Sequence, residues 1–210
     1  MPLPDPTDLL RRTPVVPVLT IERISDAVPL ARALVAGKLP VLEVTLRTPV
    51  ALEAARAIAA EVPEAMVGIG TVTEIPDIRQ ALAAGAKFLV SPGTPPPLAA
   101  ALAQVPVPVL PGCATVSEAM ALAAHGFPVV KFFPAEAAGG IAFLKAIAAP
   151  LPDLKFCPTG GIDQRNAQNY LALPNVVAVG GSWPAPKDAI EAGDFARITK
   201  LSQEAAALQR

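Results

Sequence analysis

The chain has 210 residues, 52% hydrophobic and 17% charged, with a net charge of −1 and only 4% aromatics. That length and apolar content suit one large domain over residues 1–210 with a substantial core, and they argue against disorder. Dispersed Lys and Arg give no basic field for nucleic acid, and the few aromatics leave little for bases to stack on, so no nucleic-acid partner is expected. From the N-terminus, Met1-Pro2-Leu3-Pro4 lacks a positive region followed by an apolar core, so no leader is expected, and residues 1–12 read as an extra helix or cap. β-branched runs follow at 15–19, 41–44, 66–70, 88–91, 108–111, 129–133, 155–158 and 176–180. Ala-rich stretches of helical period lie between them at 25–36, 50–61, 75–84, 97–104, 117–124 and 141–148, with a shorter helical piece at 166–173.

Several helices end on glycine, as at Ala36-Gly37, Ala84-Gly85 and His125-Gly126. Repeated βα units with no hairpin signal predict a single (β/α)8 TIM barrel with an N-terminal helix, compact beside the ~250 residues typical of that fold. An open doubly wound sheet is the alternative. No apolar run near membrane-spanning length escapes Gly, Pro or charge, so no membrane association is expected and the cytoplasm is the expected location. One histidine, His125, and two distant cysteines, Cys113 and Cys157, fit neither a His-built zinc site nor a Ser-His-Asp triad. His125 reads as a helix C-terminal residue, Cys157 as a core residue in a strand, and Cys113 as a loop residue.

Lys131, in Val129-Val130-Lys131-Phe132-Phe133-Pro134, is a lysine inside an apolar strand. An ammonium there is costly unless it is paired or gives up its proton, and a free amine attacks carbonyls. Lys87 and Lys155 fall at strand starts, whereas Lys38, Lys145, Lys187 and Lys200 fall in helices or at their ends. Active sites of such barrels lie at the C-terminal ends of strands, which separates Lys131 from the rest. Alternation puts Val129, Lys131 and Phe133 on one face and Val130 and Phe132 on the other. The same counting turns Val41, Glu43 and Thr45 inward and places Val67, Ile69 and Thr71 on one face, ending in a hydroxyl at the mouth. One interior thus holds Lys131 and Glu43, with Thr45, Arg47 and Thr71 near the rim. Glu43 is placed to shuttle protons for Schiff-base chemistry; a buried ion pair with no chemical role is the bland alternative.

Two glycine loops end the last units: Thr159-Gly160-Gly161-Ile162 and Gly180-Gly181-Ser182-Trp183. Loops after strands seven and eight are the usual phosphate site of this barrel, and glycines let backbone amides approach an anion. Neither loop contains a lysine, so affinity would come from amides and the Ser182 hydroxyl. Arg47, just after the second strand, could clamp a carboxylate in bidentate fashion; a surface arginine paired with a helix-face glutamate is the alternative.

Together these residues resemble the class I 2-keto-3-deoxy-6-phosphogluconate (KDPG) aldolases, a family that also cleaves 4-hydroxy-2-oxoglutarate (KHG). The likeness rests on Val15-Val16-Pro17-Val18, Leu42-Glu43-Val44-Thr45-Leu46-Arg47-Thr48, Val67-Gly68-Ile69-Gly70-Thr71-Val72, Ser91-Pro92-Gly93 and Val109-Leu110-Pro111-Gly112. It continues through Lys131-Phe132-Phe133-Pro134-Ala135-Glu136, Phe156-Cys157-Pro158-Thr159-Gly160-Gly161-Ile162 and Gly180-Gly181-Ser182-Trp183. The resemblance implies a Schiff base between Lys131 and pyruvate, with Glu43 as general acid and base. It implies pyruvate recognition by Arg47 and Thr71, with Phe133 and Pro92 lining the pocket, and phosphate binding by Gly160, Gly161, Gly181 and Ser182. It further implies a small-molecule substrate, a phosphorylated 2-keto-3-deoxy sugar acid, and a homotrimer that needs no metal and no cofactor. Within enzymes, the rival readings are an aldolase for hydroxyoxoglutarate or for the galactonate epimer. Outside them, the rival is a non-catalytic phosphometabolite-binding barrel.

Overall fold

The computed structural model describes residues 3–209. In chain order its helices are α1 (Thr7–Leu10), α2 (Ile24–Ala36), α3 (Ala51–Glu61), α4 (Ile75–Ala83), α5 (Pro96–Leu102), α6 (Val116–Ala124), α7 (Gly140–Ala148), α8 (Ala167–Leu171), α9 (Lys187–Glu191) and α10 (Phe195–Ala206). The strands are β1 (Val15–Leu19), β2 (Val41–Thr45), β3 (Met66–Gly70), β4 (Phe88–Val90), β5 (Val109–Leu110), β6 (Gly112–Cys113), β7 (Val129–Phe132), β8 (Lys155–Pro158) and β9 (Val179–Gly181). The elements predicted from periodicity are present. The α9 and α10 helices lie where the sequence reading assigned none, and Met1 and Pro2 of the predicted N-terminal helix fall outside the described residues.

Every strand pairing is parallel, and the strands curl in two ladders, β5-β4-β3-β2-β1-β9 and β6-β7-β8. Single parallel bridges join Phe156 to Val176 and Thr159 to Gly180. The predicted strand at 108–111 is split, because Pro111 has no N–H to donate and interrupts the ladder between β5 and β6. Cys113, read as a loop residue, is buried in β6.

Burial sorts the strand residues into two layers. Leu42, Val44, Val67, Ile69, Leu89, Val130, Phe132 and Phe156 pack outward among the helices. Phe132 stacks on Phe143 of α7 with ring centroids 4.4 Å apart. Val16, Val41, Phe88, Val90, Leu110, Val129 and Cys157 form a separate inner cluster, which Leu9 and Leu10 of α1 cover. Strands covered on both faces explain the near-continuous apolar runs in the sequence. The inner and outer assignments for β2 and β7 match the alternation read from the sequence. In β3 Val67 and Ile69 share a face, as the alternation placed them, and that face packs on the helices; Gly68 and Gly70 face inward, where a Cβ would strike the Phe88 ring and the Glu43 side chain respectively.

Candidate active site

Lys131 and Glu43 meet on the inner face of the sheet, from β7 and β2. The Lys131 Nζ donates to both carboxylate oxygens of Glu43, at 3.0 and 3.3 Å. The two residues are 4% and 3% exposed. The backbone of Lys131 is held from both sides, paired with Gly112 and Cys157, and its N–H donates to the Pro111 carbonyl at 2.9 Å. Nζ lies 5.5 Å from the centroid of the Phe133 ring, within cation–π range. Below the pair, burial pushes the Cys157 thiol up to about 12, partly offset by the Lys131 charge, so this sulfur stays protonated and takes no part as a nucleophile.

A cavity of about 270 Å3 opens at the C-terminal ends of the strands, lined by Val18, Thr20, Arg47, Phe133, Thr159, Gly160, Gly161, Ile162, Gly181 and Ser182. It therefore gathers Arg47, Phe133 and all four glycine-loop residues that the sequence singled out. Lys131 adjoins it through the Phe133 ring. Arg47 is exposed, and among the described residues no carboxylate pairs with it, which removes the surface ion-pair alternative.

Gly160 and Gly161 have φ of +100° and +77°, conformations that side-chain-bearing residues rarely adopt. Among the described residues, the amides of Gly161 and Ser182 donate no hydrogen bond. These two unbonded amides and the Ser182 hydroxyl belong to loops of the cavity wall and are donors of the kind that can hold an anion. Arg47 in the same cavity wall supplies a guanidinium for a second anionic group.

Thr71 and Pro92 do not line this cavity. Thr71 follows β3 with φ +62°, so strand alternation does not extend to its side chain. Pro92 follows β4, where its backbone lies against Gly112, the ladder partner of Lys131. Thr45, expected near the rim, is fully buried and donates to the Leu19 carbonyl at 2.8 Å. The cavity residues that the sequence reading passed over are Val18, Thr20, Thr159 and Ile162. Thr20 and Thr159 each follow a strand directly, and a hydroxyl at a strand's C-terminal end is the signal that would have found them. Among the described residues no group of three or more His, Cys, Asp or Glu is placed to hold a metal ion, and no helix is long and apolar enough to cross a membrane.

A buried lysine touching a carboxylate, beside a cavity lined by a guanidinium and by two glycine loops with unbonded amides, has the parts of a Schiff-base lyase acting on an anionic carbonyl compound. The family model for KDPG and KHG aldolase matches residues 7–201, and the chain belongs to that family. It is 52% identical over 197 residues to a KHG/KDPG aldolase of Escherichia coli (strain K12), covering 94% of this chain and 92% of that one. It is likewise 52% identical to a 2-dehydro-3-deoxy-phosphogluconate aldolase of Dickeya dadantii, over 95% of this chain and 93% of the relative. Its fold is similar to the crystal structure of a KDPG aldolase from Legionella pneumophila, with pyruvate captured as a covalent carbinolamine. That match has a TM-score of 0.95 and 45% identity, covering 97% of this chain and 98% of the other.

Proposed function

We propose that this aldolase cleaves 2-dehydro-3-deoxy-6-phosphogluconate reversibly to pyruvate and glyceraldehyde 3-phosphate, and also acts on 4-hydroxy-2-oxoglutarate. The observation that carries the reading is the buried Lys131–Glu43 contact at 3.0 Å beside a cavity lined by Arg47, Phe133 and the two glycine loops. The names of the Escherichia coli and Dickeya dadantii relatives support both substrates.

In this reading the Lys131 Nζ gives a proton to Glu43 and adds to the C2 carbonyl, forming a carbinolamine. Glu43 returns the proton to the C2 hydroxyl, water leaves, and the resulting iminium withdraws electrons from C3. Glu43, directly or through a water, then takes the proton of the C4 hydroxyl. The C3–C4 electron pair moves toward the iminium, releasing the aldehyde and leaving the pyruvate enamine. Protonation at C3 and hydrolysis free pyruvate and restore the amine. Arg47 holds the C1 carboxylate and Phe133 walls the pyruvate end, while Thr71, next to Gly70 at the Glu43 carboxylate, and Pro92, against Gly112 beside Lys131, complete the pyruvate site from the Lys131–Glu43 side rather than from the cavity wall. The Gly160, Gly161, Gly181 and Ser182 cradle holds the phosphate and so sets which carbon reaches Nζ.

For the architecture, we infer that β5 and β6 are one strand interrupted at Pro111. The Phe156–Val176 and Thr159–Gly180 bridges then complete the circuit of an eight-stranded barrel. We further propose that the chain is a single domain, assembles as a homotrimer and works in the cytoplasm, the last supported by two unpaired cysteines that suit a reducing compartment. The test of function is pyruvate release, coupled to lactate dehydrogenase, from KDPG and from hydroxyoxoglutarate. Turnover of KDPG with the higher kcat/KM supports the reading; release from neither substrate overturns it.

A further inference from the structure

Glu136 closes the Lys131-Phe132-Phe133-Pro134-Ala135-Glu136 motif but has no part in the chemistry above. The structure assigns Glu136 and Tyr170 as positioning residues that hold the Gly160–Gly161 phosphate cradle in place from behind, and so govern selectivity for the phosphorylated substrate. The assignment rests on the aldolase reading and deepens it.

Glu136 touches the cradle through both backbone and side chain. Its N–H donates to the Gly160 carbonyl at 3.1 Å, next to the bond from the Ala135 N–H to the Thr159 carbonyl at 2.8 Å. Its Cβ and Cγ lie where a Cβ on Gly161 would sit, at 2.7 and 2.6 Å, so the acidic side chain fills the space directly behind that glycine. The carboxylate is in turn fixed by Tyr170 of α8, whose hydroxyl donates to Glu136 Oε1. Tyr170 is fully buried. Burial first, then the adjacent Glu136 carboxylate, raises its phenol above the ordinary value, so it remains a donor.

Backbone shape is also committed to this contact. Gly140, at φ +54°, would place a Cβ 2.9 Å from the Tyr170 hydroxyl and 3.4 Å from Glu136 Oε1, so a larger residue there would crowd the pair. The hydrogen bond thus links α8, the turn after β7 and the cradle after β8. Neither side chain lines the substrate cavity. Their action on substrate passes through the loop, which makes them positioning rather than catalytic residues.

Loss of this support should loosen phosphate binding without disturbing Lys131 or Glu43. Tyr170→Phe and Glu136→Ala should each raise KM for KDPG about tenfold, the scale of one charge-assisted hydrogen bond, with kcat nearly unchanged. Their kcat/KM for hydroxyoxoglutarate, which carries no phosphate, should stay within about twofold of the unmodified enzyme. Glu136→Gln keeps the acceptor oxygen and should restore near-normal kinetics on both substrates. Parallel losses on both substrates, or unchanged KDPG kinetics in both Tyr170→Phe and Glu136→Ala, would overturn the assignment. Failure of the unmodified enzyme to release pyruvate from KDPG would instead overturn the aldolase reading itself, so the two failures are distinct.

Discussion

The position of Gly70 makes Glu43 open to a perturbation that alters no reacting group. Gly70 ends β3 beside β2, and a Cβ built on it would lie 2.2 Å from Glu43 Oε1, 2.6 Å from Cγ and 2.7 Å from Cδ. Ordinary non-bonded contacts of this kind begin at about 3.5 Å, so in Gly70→Ala the whole carboxylate arm must move by about 1 Å. It has little room to do so, because Glu43 is 3% exposed and bonded to Lys131 at 3.0 Å. A displacement of that size costs on the order of 100-fold in rate when the moved group must transfer a proton. Crowding should also lower stability by about 1–3 kcal/mol. The assay is single-turnover and steady-state pyruvate release from KDPG, with circular dichroism to confirm the fold. A Gly70→Ala enzyme that is folded and within about fivefold of normal kcat would refute a positional role for Glu43 in proton transfer.

Other outcomes follow from the same geometry. Glu43→Ala leaves the Lys131 ammonium buried without its partner, which should cost about 3–5 kcal/mol and lower Tm by roughly 10 °C in a calorimetric scan. Arg47→Ala should raise KM for KDPG and hydroxyoxoglutarate alike, since both carry the carboxylate next to the carbonyl. Ser182→Ala should raise KM for KDPG alone, so initial-rate kinetics on the two substrates separate the two ends of the cavity. Burial holds the Cys113 and Cys157 thiols up at about 12, against an ordinary value of 9.0. Neither should react with a disulfide reagent near pH ~8 until the chain is unfolded, when both should. Because the unfolded chain ionises these thiols first, stability should fall as pH rises from about 9 toward 12, read as a declining urea midpoint.

Much of this site was legible because strand alternation is a strict two-residue period. Counting along β2 and β7 turned Glu43 and Lys131 to one interior, and the structure joins them at 3.0 Å. On β3 counting put Val67 and Ile69 on one face, as the structure does, but left open which face is inner. Its inward positions are Gly68 and Gly70, which have no side chain to mark a face, because the Phe88 ring and Glu43 already fill that space. Nothing in the apolar pattern of Val67 and Ile69 therefore says that the glycine face is the inner one. Thr71 escaped counting altogether, since its φ of +62° ends the extended conformation. The split at Pro111 was readable from proline's missing N–H, although the apolar run across 108–111 masked it. Least legible was the support behind the cradle. Glu136 and Tyr170 are far apart in the chain and meet only because α8 folds back against the turn after β7.

Every step of the proposed mechanism depends on the Lys131 amine bonding to the carbonyl carbon of a 2-keto acid. Incubation with pyruvate and borohydride, followed by peptide mass mapping, tests it most directly. One reduced pyruvate adduct per chain is expected, on Lys131, with none formed in Lys131→Ala. An adduct on Lys87 or Lys155 instead, or full labelling of the Lys131→Ala enzyme, would contradict it.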